Sequence, residues 1–127
     1  MDYLCLDWTQ ETFQAIKIIE KVEGSNSFEL VRPLVSYAYH TSKASNFQET
    51  IQELNRALDI ISPVKNQYPE VYLYTHVTFA QVYLNHNEPQ TSIDYYQKVY
   101  DLTHLMLGPK HKYISTFLFY FFKLIFF

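Results

Sequence analysis

Apolar residues recur at helical spacing in successive blocks along this chain, and short polar or turn-forming stretches separate them. The clearest block, VYLYTHVTFAQVYLNH, carries the pattern from Val71 to Leu84 and predicts a helix. NHNEP interrupts it, with Asn87 placed to cap the next helix and Pro89 in its first turn. That next helix, QTSIDYYQKVYDLTHLML, runs to Gly108, a residue suited to the left-handed position just past a helix end. An earlier pair follows the same plan: LVRPLVSYAYHTSK, a turn at ASN, then FQETIQELNRALDIISPVK. Asn46, with Glu49 three residues on, predicts a capping box. Pro33 suits a first turn, whereas Pro63 must kink or shorten its helix.

The pattern repeats at an offset of 42 residues. Gly24, Asn66 and Gly108 fall on one another, and all three are expected as helix C-caps. Ala15, Ala57 and Val99 align, as do Ile18, Ile60 and Leu102, at predicted core positions. Leu34 falls on His76, Tyr37 on Phe79, Ala38 on Ala80, Thr41 on Tyr83, Thr50 on Ser92, and Leu54 on Tyr96. Small residues meet small and bulky meet bulky. Two helices that approach closely need such small columns, with large side chains filling the space beside them. The predicted organisation is a single all-α repeat domain over residues 1–127: a partial repeat 1–24, repeats 29–66 and 70–108, and a partial repeat 112–127.

Composition narrows what such a chain does. Its 127 residues allow one moderate core, and 48% hydrophobic with 18% charged residues is a globular balance. A net charge of −3 carries no electrostatic footprint for nucleic acid or an anionic membrane, so neither is an expected partner. A lone cysteine, Cys5, makes no internal disulfide and fits a reducing, cytoplasmic setting. MDYLCLDWTQ opens with an acid and lacks the basic start of a secretory signal.

At FAQVYLNHNEPQTSIDYYQKVYDLTHLMLGPKHK the chain resembles the tetratricopeptide repeat, in the 42-residue form of kinesin light chains and related scaffolds. Phe79-Ala80, Tyr83, Ser92, Tyr95-Tyr96-Gln97-Lys98, Leu107-Gly108-Pro109 and His111 carry the likeness. His76 stands where that pattern has a large apolar residue, Val99 where it has alanine, and Phe122 where this chain has Ala38 and Ala80. The resemblance implies antiparallel helix pairs stacked as a short right-handed superhelix, with a non-catalytic scaffold or adaptor function. It also implies a peptide-binding groove lined by Arg32, Val35, Tyr39 and Lys43 from one first helix and Tyr74, Val77, Gln81 and Asn85 from the next. A groove that clamps a terminal carboxylate does not fit, because valine occupies both Val35 and Val77.

The residues offer little catalytic chemistry. His40, His76, His86, His104 and His111 contain no pair at i,i+4 spacing and there is no second cysteine, so no metal or other cofactor is expected. No serine sits in a nucleophile elbow, and both glycines are predicted helix ends rather than parts of a phosphate loop. An enzyme is not expected. Two rival functions stay open: a regulatory helical domain of a larger enzyme, and an adaptor tethered to membrane by its Phe-rich tail. That tail, YISTFLFYFFKLIFF, has one lysine in fifteen residues and is shorter than the ~20 apolar residues a bilayer core requires. Self-association through residues 113–127 is the expected consequence of so apolar a segment.

Overall fold

The computed structural model describes residues 2–43, 46–109 and 111–112, with side chains from Thr9 onward. Five α-helices appear among them: α1 (Asp2–Glu23), α2 (Val31–Thr41), α3 (Phe47–Ile61), α4 (Pro69–Asn85) and α5 (Pro89–Leu107). Short 3₁₀ turns at Phe28–Leu30 and Ser62–Val64 complete the described structure, which contains no strand. The fold is all-α. The chain divides into two compact units, Met1–Val64 and Lys65–Phe127.

In the first unit, Gly24 ends α1 at φ 98°, its N–H closing the last turn on the Glu20 carbonyl at 3.1 Å. Ser27 then caps the 3₁₀ turn, accepting from the Glu29 N–H at 3.2 Å. That turn runs directly into α2. Pro33 is the third residue of α2, where its missing N–H has no helical partner to lose. The core takes Leu30, Val31, Leu34, Val35 and Ala38 from the 3₁₀ turn and α2, Thr50, Leu54, Ala57 and Ile61 from α3, and Ile16 from α1. The α3 set is spaced by four, three and four residues, one apolar stripe that faces α2. Asn46 caps α3 through Oδ1, which accepts from the Gln48 N–H at 2.8 Å.

In the second unit, Pro69 and Pro89 open α4 and α5 at positions that need no donor. α4 is buried nearly all round, including Leu73, Thr75, His76, Thr78, Phe79, Ala80 and Val82. Its two buried threonines satisfy their hydroxyls on carbonyls one turn back, Thr75 on Val71 and Thr78 on Tyr74, both at 2.9 Å. α5 presents a single buried stripe, Ser92, Tyr96, Val99 and Thr103, and packs along α4. Asn87 reverses the chain between them at φ 62°, a left-handed conformation that asparagine tolerates. The next N–H, that of Glu88, then reaches the Tyr83 carbonyl at 2.9 Å.

Several columns 42 residues apart share their burial, although Val35 is buried where Val77 is half-buried. Ala38 and Ala80, Leu34 and His76, Thr50 and Ser92, Leu54 and Tyr96, Ala57 and Val99, and Ile61 and Thr103 are all buried. Several local expectations are corrected. Asn66 is not a left-handed cap, because Pro63 stops α3 at Ile61 and turns the chain into a 3₁₀ segment first. Asn87 is the turn residue, and Glu88 holds the N-cap position without a side-chain bond. Ile18 is 61% exposed and not core, while Ile16, two positions round the helix, is buried. No helix among the described residues is long and apolar enough to cross a membrane. Expectations for residues 113–127, Phe122 included, lie outside the described residues.

Candidate functional site

The eight residues expected to line a groove fall into two strips, one in each unit. On α2 and just beyond it, Arg32, Tyr39 and Lys43 are exposed, and Val35 between them is fully buried in the core. The spacing 32, 35, 39, 43 keeps one helical face, and Val35 forms its floor rather than its surface. Tyr39 is 39% exposed and meets His40 edge-on at 5.4 Å between ring centroids. On α4, Tyr74 is 47% exposed, and Val77, Gln81 and Asn85 are half-buried along the same face. One strip is cationic and aromatic. The other offers a phenol, two amides and a valine.

Behind the α4 strip lies His76, in the column of Leu34 and 1% exposed. Neither imidazole nitrogen has a hydrogen-bond partner. Tyr72 meets the ring edge-on at 4.7 Å, and Phe79 lies at 6.3 Å. Burial, reinforced by the charges of Lys98 and Lys65, lowers its pKa from 6.5 to about 4. His76 is therefore a neutral packing group at neutral pH. Beside it, Phe79, Tyr95 and Tyr83 stack in series, with centroids 5.2 and 5.4 Å apart. Burial, then the Tyr83 phenol and its hydrogen bond, raise the Tyr95 pKa. Among the described residues no three His, Cys, Asp or Glu side chains converge as a metal site.

One feature escaped the sequence. A cleft of about 270 Å³ opens between α1, α2 and α3 in the first unit. Phe13 and Lys17 line it from α1, Tyr37 from α2, and Glu49, Glu53 and Arg56 from α3. Phe13 and Tyr37 make a tilted ring pair at 5.9 Å. Lys17 Nζ sits 5.2 Å from the Phe13 centroid and 3.9 Å from Glu20. Arg56 holds the other Glu20 oxygen at 2.8 Å and donates to the Ser25 carbonyl at 3.0 Å. The local spacings, Phe13 to Lys17 and Glu49 to Glu53, are each i,i+4 and were visible in the sequence. Their convergence depends on how three helices pack.

Comparison with protein-family models, with curated proteins and with solved structures found no match to this chain.

Proposed function

We propose that this chain is a non-catalytic protein-interaction module of the tetratricopeptide type, which recognises a peptide segment through exposed residues of its first helices, on α2 in one unit and on α4 in the other. The observation that carries this reading is the shared burial of columns 42 residues apart, above all the fully buried Ala38 and Ala80. Small residues at equivalent places let each first helix approach its second helix closely, and a helix pair built this way needs a neighbour to cover its remaining apolar face. Exposed Tyr39 and Tyr74 suit recognition, because tyrosine supplies rigid contact area that is both apolar and hydrogen-bonding. The partner is a protein or peptide. Residues 113–127 add a second contact of this kind, between copies of the chain.

A photo-crosslinking residue at Tyr39 or Tyr74 tests the reading by identifying what touches the strips. The partner so identified should bind the parent chain in titration and lose binding to Tyr39→Ala/Tyr74→Ala/Gln81→Ala, while far-UV circular dichroism stays unchanged. Unaltered affinity in that triple variant places binding elsewhere and overturns the proposal.

A further inference from the structure

We propose that the cleft between α1, α2 and α3 is a second recognition site, which receives an arginine side chain of a partner protein. It stands independently of the groove reading. Tyr37 and Thr41 line the cleft from α2, whereas Tyr39 and Lys43 belong to the strip described above. A two-residue step turns a helix by roughly 200°, so the two sites use opposite faces of α2.

The chemistry of the cleft selects a cation. Glu49 and Glu53 stand one turn apart at its α3 wall, and neither makes an ion pair or side-chain hydrogen bond among the described residues. Glu20, the third carboxylate, is already held by Arg56. The opposite wall is aromatic, with Phe13 41% exposed and Tyr37 tilted against it. Two cations already line the cleft: Arg56, committed to Glu20 and the Ser25 carbonyl, and Lys17, whose ammonium rests over the Phe13 ring. Lys17 is mostly exposed, on a flexible stem, and reaches Glu20 rather than Glu49 or Glu53. It marks the ring face as cation-binding without satisfying the two α3 carboxylates.

Arginine fits this arrangement better than lysine. A guanidinium is planar, stacks on an aromatic face, and directs several N–H donors in its own plane, so one group spans the rings and two carboxylates. An ammonium is a compact, strongly hydrated charge that gives up more solvation on entering a cleft of this size. The volume suits one side chain rather than a folded ligand.

The test uses the ¹⁵N-labelled full chain titrated with the tripeptide acetyl-Gly-Arg-Gly-amide. Amide shifts centred on Lys17, Tyr37, Thr50 and Glu53 are expected. Glu49→Gln/Glu53→Gln should weaken binding about tenfold, in line with loss of a close charge pair. Lys17→Ala should tighten it about threefold by removing the competing internal cation. This gain cannot arise from misfolding. The citrulline peptide, equal in shape but uncharged, should not bind, and the lysine peptide should bind more weakly. Equal binding of citrulline or lysine, no gain in Lys17→Ala, or equal shifts around Asp94 and Asp101 overturns the proposal.

Discussion

The Ser92 hydroxyl donates to the Ala80 carbonyl at 2.7 Å, a buried bond that joins α5 to α4. It forms because Ala80 has no side chain beyond Cβ to hold the helices apart. Ser92 in turn is small enough to lie against the α4 backbone. The two residues act as one device, a small-to-small contact sealed by a hydrogen bond. Thr50 and Ala38, 42 residues earlier, are buried likewise, but the Thr50 hydroxyl turns back to the Asn46 carbonyl in its own helix at 3.4 Å.

Ala80→Trp is expected to be among the most damaging single changes, because it forces α4 and α5 apart. Overpacking a close contact costs about 1–3 kcal/mol and sometimes more. Ser92→Ala should cost ~1 kcal/mol, the usual net value of one hydrogen bond. Gln97→Trp, on the exposed face of α5, should be mild. Urea unfolding ranks the three, and equal effects would contradict the packing described.

His76 predicts acid sensitivity. Its folded pKa, about 4, lies below the ordinary 6.5, so above pH 6.5 both folded and unfolded states carry neutral imidazole and nothing is lost. Between 6.5 and 4 the unfolded chain takes up a proton that the folded chain refuses, and stability falls by about 3 kcal/mol in total. His76→Leu, which copies the buried Leu34, should stabilise the protein by about 1–3 kcal/mol at pH 7 by removing two unbonded nitrogens. Its advantage over the parent should grow as pH drops to 4. A constant difference across that range would mean His76 accepts the proton without cost.

Arg56 and Glu20 join α3 to α1 through side chains that are 31% and 26% exposed. A double-mutant cycle with Arg56→Ala and Glu20→Ala should give a coupling of about 0.5–1 kcal/mol. Repeating it in about 1 M salt, where charges are screened within a few ångströms, should shrink that value. A coupling that ignores salt would assign the stabilisation to packing of the arginine stem.

Ten of the eleven residues 117–127 are aromatic or aliphatic, and the other, Lys123, is charged. Apolar surface left in water is unfavourable by ~25 cal/mol per Å², which favours association between copies. Deleting this segment should shift light scattering toward a smaller species and raise solubility. A monodisperse monomer from the full chain, without detergent or partner, is the contrary result.

Much of the helix plan is written locally. Pro69 and Pro89 start helices, Gly24 and Gly108 end them, and Pro63 stops α3 two residues before itself, because each acts through its own backbone geometry. The alternation of small and bulky residues at 42-residue spacing marked the columns of Ala38 and Ala80, Thr50 and Ser92, Leu54 and Tyr96, and Ala57 and Val99, which are buried. It also marked that of Ile18, Ile60 and Leu102, which is exposed or half-buried. What lies against each face was not legible. Val35 sits on the face of Arg32 and Tyr39 yet is covered, and Ile18 is apolar yet exposed, because burial depends on neighbouring helices rather than on residue type. Asn87 rather than Asn66 takes the left-handed conformation, since α3 had already ended at Ile61 and the tight reversal falls between α4 and α5. His76 follows the same division. Its column was readable from Leu34, but the complete absence of a bonding partner was decided by the apolar and aromatic side chains that close around it.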